Sequence, residues 1–302
     1  MADKIINLDC IEKYNQLVGL ETLHPLITVA NLNHATKGFD KMSWNYGLYA
    51  IFLKLELACT IQYGRQNYDY QEGSVVCFSP GQVVNVARNI DRPNSNVLGL
   101  LFHPDLLHGT SLARTIRQYT YFSYAINEAL HLSERERDVL IGCFQIISSE
   151  LERGVDKHTK MILVNQIEMV LNYLMRFYER QFITRSVANS DILTRFESLL
   201  NNYFEGDNAA VNGLPTVKFM ADQLCLSPNY FGDLLKKETG KSPQEYIQLK
   251  IIELGKLRVA MNKVSLSEVA YSLGFQYPQH FTRLFKKATG MTPSEFRTTA
   301  SA

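Results

Sequence analysis

No apolar run in this 302-residue chain approaches the roughly 18 residues needed to cross a bilayer, so no membrane-spanning helix is expected. The opening Met1-Ala2-Asp3-Lys4 lacks the basic head and apolar stretch of a secretory signal, which points to the cytoplasm. Five cysteines (Cys10, Cys59, Cys77, Cys143, Cys225) are odd in number, scattered and never spaced C-x-x-C. Reduced, buried thiols are expected of them, and neither a disulfide framework nor a zinc site. A dominant charge is missing too, since the formal net charge is +1. Residues 190–302 carry 13 Lys/Arg against 11 Asp/Glu, so any nucleic-acid contact must rest on local placement of cations. Residues 49–87 hold no histidine, and His24, His34, His103 and His108 show no ligand spacing. Gly-x-Ser-x-Gly, a Walker loop and the dinucleotide fingerprint are all absent. No catalytic residue, metal or cofactor is expected, and the chain does not read as an enzyme.

Present instead is a change of period. Up to about residue 125 the chain reads as short strands and turns. Ile51, Leu53, Leu55 and Leu57 alternate with polar residues as in a half-buried strand. Residues 74–78 and 83–86 flank the turn signal Ser79-Pro80-Gly81, and 96–102 is a further strand. Such strands fit a small barrel or sandwich over about 20–125. Helices follow over about 126–183, the first opened by the capping box Ser133-Glu134-Arg135-Glu136. In the second, about 158–182, Val164, Ile167, Leu171, Leu174 and Tyr178 recur at spacings of 3, 4, 3 and 4. That stripe is either a dimerisation seam of about two heptads or the face packed on its own domain. Residues 183–191 read as a polar linker, 191–204 as a helix and 205–215 as a loop. The organisation is α+β with two domains, 1–185 and 190–298.

Within the second domain a sequence is written twice. Phe231, Leu234, Leu235, Lys236, Lys237, Thr239, Gly240, Ser242, Pro243, Glu245 and Tyr246 return, 50 residues on, as Phe281, Leu284, Phe285, Lys286, Lys287, Thr289, Gly290, Thr292, Pro293, Glu295 and Phe296. Two copies are too few for a solenoid and describe a duplicated supersecondary unit. Each copy parses as a short helix, a tight turn and a second helix that ends at a glycine, which is a helix-turn-helix. In that motif the second helix enters the major groove. The connecting helix, Pro243 to about Met261, is about 28 Å long and suits two readers set in successive grooves about 34 Å apart.

Gly274-Phe275, Phe281, Arg283, Phe285-Lys286-Lys287, Gly290 and Thr292-Pro293-Ser294-Glu295-Phe296-Arg297 resemble the signature of the AraC-type transcription regulators. The resemblance covers about 190–298 and is most specific in its second half. It implies an all-α domain with two helix-turn-helix units that binds double-stranded promoter DNA. It also implies an N-terminal cupin-like β-barrel with following helices. Activation through RNA polymerase, a homodimer and a small-molecule effector are what such a regulator would have. The alternative is an N-terminal domain that binds a protein partner or only dimerises. Trp44, Tyr46, Tyr49, Phe52, Tyr63, Tyr68 and Tyr70 could line an effector pocket or be core and surface rings.

Pro278, Gln279, Thr282 and Arg283 share the face of the second reader opposite Phe281, Leu284 and Phe285, where the family places its DNA contacts. Arg283 could pair with guanine and Gln279 with adenine, or Arg283 could be a solvated charge. Lys236, Lys237, Lys286 and Lys287 suit phosphates, or simply complement helix C-termini. His280 is expected partly buried or capping at the helix start. The first reader presents Asn229, Gly232 and Asp233. Glycine offers no side chain and aspartate repels phosphate, so the first reader is weak, or else Asp233 accepts from a cytosine.

Overall fold

The protein divides into two compact units, Met1–Thr184 and Arg185–Ala302. The computed structural model describes residues 5–37, 42–55, 59–63, 66–68, 73–88, 96–125, 128–184, 186–206, 208–261 and 264–300.

The first unit contains β1 (Ile5–Leu8), α1 (Ile11–Val18), β2 (Ile27–Asn31), β3 (Met42–Tyr46), β4 (Tyr49–Lys54), β5 (Cys59–Tyr63), β6 (Gln66–Tyr68), β7 (Ser74–Phe78), β8 (Val83–Arg88) and β9 (Val97–Phe102). After them come α2 (Leu112–Thr115), β10 (Leu130–His131), α3 (Glu134–Glu152) and α4 (Thr159–Thr184). The strands form two five-stranded sheets, ordered β1-β3-β8-β5-β6 and β10-β7-β4-β9-β2. Trp44, Tyr46 and Val84 of one sheet share a core with Ala30, Ala50, Val76, Phe78 and Leu101 of the other, and Ile11, Tyr14 and Val18 of α1 join them. Pro80-Gly81 therefore does not close a hairpin. It carries the chain from β7 in one sheet to β8 in the other, with Gly81 at φ +91.

The alternation at 51–57 predicts one wet face, and the structure corrects this. β4 lies between β7 and β9, and Ala50, Ile51, Leu53 and Lys54 are all buried. Ala50 faces the shared core, while α3 packs against β2 and α4 against β10 of the same sheet, so neither face is open. Leu57 lies outside the described residues. The same packing settles the stripe on α4. Val164, Ile167, Leu171, Leu174 and Tyr178 are 0–4% exposed inside their own unit, so they form core and not a dimer seam. The expectation of buried thiols holds for Cys77 and Cys143 and fails for Cys10 and Cys225, which are exposed.

The second unit is helical: α5 (Ser186–Glu205), α6 (Asn208–Asn212), α7 (Val217–Gln223), α8 (Pro228–Thr239), α9 (Pro243–Ala260), α10 (Leu266–Ser272), α11 (Pro278–Thr289) and α12 (Pro293–Ala300). The stretch expected as a polar linker, 183–191, instead ends α4 at 183–184 and opens α5 at 186–191, with residue 185 outside the described residues. It holds no Gly or Pro to break a helix. Asn189 is buried, and its Nδ2 donates to Glu238 Oε1 at 3.1 Å. The expected loop at 205–215 contains α6, seated by buried Ala209.

The duplicated residues are largely caps. Ser242 and Glu245, Ser265 and Glu268, and Thr292 and Glu295 each exchange side-chain and backbone hydrogen bonds at a helix start. The backbone N–H donated to each glutamate holds its carboxyl below the usual range. Thr239 and Thr289 each donate back to the carbonyl four residues earlier, at 2.8 Å, before Gly240 and Gly290 turn left-handed.

Both turns use one device. After α7, Leu226 N–H reaches Ala221 O and Cys225 N–H reaches Asp222 O. After α10, Phe275 N–H reaches Ala270 O and Gly274 N–H reaches Tyr271 O. These are Schellman pairs, and they place Cys225 (φ +59) and Gly274 (φ +91) in the left-handed region. The second turn is one residue longer, because Leu273 and Tyr277 cap its helices where Leu224 and Ser227 cap the first pair. A Cβ on Gly274 would lie 2.7 Å from Gly213 C and 2.9 Å from Ala209 O, so only glycine fits there. At Cys225 the left-handed conformation is a cost of about 1–2 kcal/mol. Cys225→Gly is therefore expected to stabilise by about 1 kcal/mol in chemical denaturation, and Gly274→Ala to destabilise by more than about 2 kcal/mol. A destabilising Cys225→Gly would contradict this account of the turn.

Candidate nucleic-acid interface

α11 is positioned from its buried side. Phe281 and Phe285 are 0–1% exposed with rings 5.5 Å apart, and Phe275 and Phe296 pack edgewise or tilted against them. They seat on α9 at Gly255, where an added Cβ would lie 3.0 Å from the Phe281 ring. A larger residue would push the helix outward. α8 is seated in the same way by Phe231, whose ring meets Phe196 of α5 at 5.0 Å. α9 has 18 residues and a length of about 27 Å, and α8 and α11 both pack on it. Arg258 at its C-terminal end donates to the Ser272 and Phe204 carbonyls at 3.0 and 2.9 Å, tying α9 to the ends of α10 and α5.

With Phe281 and Phe285 inward, the opposite face of α11 is open. Gln279, Thr282 and Arg283 are exposed and Pro278 is half-buried. The Thr282 hydroxyl donates to Pro278 O at 3.2 Å, so what it offers outward is a lone pair and a methyl group. Lys286 and Lys287 are exposed in the last turn. Residues 269–294 hold no Asp or Glu, and α11 itself carries Arg283, Lys286 and Lys287 for a formal charge of +3. His280 is neither buried nor a cap. It is exposed, with its ring 5.5 Å from that of Tyr277, because the side chain leaves the helix on the outer face. Tyr277 is 55% exposed and caps without a side-chain bond, where Ser227 of the first unit accepts from Tyr230 N–H at 3.2 Å.

α8 presents the same positions with different chemistry. Asn229 is exposed, and Gly232 and Asp233 are half-buried. A Cβ on Gly232 would meet nothing within 4 Å, so packing does not demand glycine there. Lys236 and Lys237 are exposed, but Asp233 and Glu238 offset them and α8 has no net charge. The cationic field that a phosphate backbone attracts is therefore concentrated on α11.

Several residues singled out in the sequence do not come together as a site. Trp44 and Tyr46 are 2% exposed and pack with Tyr14, Phe52 and Phe78 in a ring cluster with centroids 5.3–6.4 Å apart. Burial pushes the Tyr14 and Tyr46 phenols far up. Tyr49 belongs to another cluster, with Phe102 and Phe122. The side chains of Tyr63, Tyr68 and Tyr70 lie outside the described residues. Sequence reading missed Tyr14 because α1 was not separated from the strands. Among the described residues no three His, Cys, Asp or Glu are grouped to hold a metal ion, and no helix is long and apolar enough to cross a membrane.

Residues 220–299 match the family described as a helix-turn-helix domain. The arabinose operon regulatory protein of Salmonella typhimurium is 25% identical over 254 residues, covering 82% of this chain and 83% of the relative. Together these similarities support an AraC-family transcription regulator with a helix-turn-helix domain. A Bacillus subtilis relative, the uncharacterized transcriptional regulatory protein YesN, is 41% identical over 78 residues, covering 25% of this chain and 21% of its own length. The chain thus spans about a fifth of that relative. The C-terminal domain of AraT, a response regulator from Geobacillus stearothermophilus, aligns at a TM-score of 0.32 and 24% identity over 36% of this chain and 84% of its own. So low a score adds no weight.

If α11 carries the base readout, Arg283→Ala should cost about 1–3 kcal/mol of operator affinity and relax preference at one base pair. Asp233→Ala should cost less than about 1 kcal/mol. Titration of both variants against one duplex checks this, and a larger loss for Asp233→Ala would make Asp233 a cytosine reader.

Proposed function

We propose that this AraC-family regulator binds promoter DNA sequence-specifically, with α11 reading bases through Gln279, Thr282 and Arg283 and with Pro278 at the groove floor. Lys286, Lys287, Lys236 and Lys237 hold phosphates, and α8 adds a weak second contact through Asn229 and Asp233. The observation that carries this is the exposed, acid-free face of α11, fixed from behind by Phe281 and Phe285 on Gly255. Sequence specificity comes from base edges, whereas the lysines position the domain. The protein acts in the cytoplasm as a homodimer that activates through RNA polymerase and performs no enzymatic reaction.

For the first unit the leading reading is a cupin-like sensor that binds a small molecule and shifts the DNA-bound state. The dense packing of Tyr14, Trp44, Tyr46 and Phe78, each 1–5% exposed, favours the second reading at that spot, an interaction or dimerisation module with a filled core. Footprinting of the full chain on genomic fragments it retains, with and without candidate metabolites, tests both. Protection of two adjacent major grooves on one face, about 10 base pairs apart, is expected. Retention with no sequence preference would contradict specific reading, and a footprint indifferent to every metabolite would favour the interaction module.

A further inference from the structure

Offset by 50 residues, the starts of α8 and α11 differ at two positions in a way that packing does not explain. Ser227 begins α8 as a cap, its hydroxyl accepting from Tyr230 N–H at 3.2 Å, and Tyr230 is 5% exposed. Their counterparts at the start of α11 are Tyr277 and His280, and both are exposed. Tyr277 is 55% exposed and offers the helix no side-chain bond, so His280 N–H donates to Tyr277 O at 3.0 Å instead. Serine caps a helix start and tyrosine does not. The exchange therefore gives up helix stability and leaves more than half of the new side chain in water. The Tyr277 hydroxyl has no hydrogen-bond partner among the described residues. What its ring has is His280, edge-on at 5.5 Å.

The two rings begin a line. Tyr277, His280, Leu284 and Lys287, at spacings of 3, 4 and 3, run down one flank of α11, beside the face that carries Gln279, Thr282 and Arg283. Residues 269–294 hold no Asp or Glu to oppose an anion there. A helix with its side chains is about 10–12 Å across, and the major groove is about 12 Å wide. A helix that enters the groove therefore sets its flanks against the phosphate walls. We propose that the Tyr277 hydroxyl donates to a backbone phosphate at the groove edge, with His280 fixing the ring and Lys287 holding a second phosphate on the same wall. Tyr277 is then a binding residue and His280 a positioning residue. A neutral donor adds affinity without displacing a counterion, so its contribution is the same on every sequence and leaves the salt dependence unchanged. The second unit gives up a cap and gains a DNA contact that Ser227 of the first unit has no ring to make.

The proposal rests on α11 entering the groove, and Arg283→Ala is the control for that reading. Full-length variants are titrated against a duplex that the wild-type chain selects from a random pool and against an unrelated duplex. Tyr277→Ser restores the cap, so it should raise the thermal midpoint by about 2 °C or more and yet weaken binding about tenfold. Tyr277→Phe keeps the ring and should lose the same affinity, on both duplexes and with an unchanged salt slope. His280→Ala should weaken binding about threefold and add nothing in the Tyr277→Ser background. A Tyr277→Ser chain that melts lower would overturn the proposal. So would one that binds within about twofold of wild type while Arg283→Ala is impaired, and the reading of α11 would then stand. Tyr277→Phe at full affinity, or a loss confined to one base pair, would overturn it as well. Undiminished affinity in Arg283→Ala would overturn both.

Discussion

Phe281 and Phe285 sit against α9 at Gly255, and the absence of a side chain there fixes how deep α11 lies. Toward its N-terminus the same α9 offers Ile247, Ile251 and Ile252, which share a core with Phe231 and Leu235 of α8. One apolar cluster therefore runs through both helix-turn-helix units. Pulling α8 or α11 away would expose fully buried phenylalanines, at about 1.5–3 kcal/mol for each side chain. α8 and α11 are thus held as one body by a rod about 27 Å long. Their separation is a property of the fold and not of the DNA.

The duplication preserves what holds the helices and releases what faces outward. Phe231 and Phe281, the Thr239-Gly240 and Thr289-Gly290 stops, and the capping glutamates Glu245 and Glu295 recur because each satisfies the same backbone or core demand. The outer positions share no such demand. Gly232 faces open space and yet no side chain has been placed there, whereas its counterpart Thr282 and neighbour Arg283 project from a helix free of acids. The turns have diverged as well. The first keeps a cysteine in a left-handed conformation that the second gives to a glycine pressed on Gly213.

Features set by local chemistry were legible in the sequence. The Ser-Pro and capping-box starts, the glycine stops and the inward phenylalanines were all readable, because a cap is decided within four residues. Features set by distant contacts were not. Residues 183–191 looked like a linker since they are polar, but Asn189 is buried through a bond to Glu238, 49 residues away. The stripe from Val164 to Tyr178 indicated that a face is buried and could not say against what. Pro80-Gly81 marked a turn, while its passage between two sheets depends on strand pairing that no local pattern carries. The site residues on α11 were readable as a face, and the contrast in charge with α8 needed only the sequence. That Gly232 is not forced by packing needed the structure.

The central claim is that the two readers contribute unequally to sequence recognition. Sequencing of duplexes retained by the full chain from a random pool tests it directly. The account predicts one strongly constrained block of base pairs under α11 and a weakly constrained segment about 10 base pairs away under α8. Two blocks constrained to the same degree would contradict it.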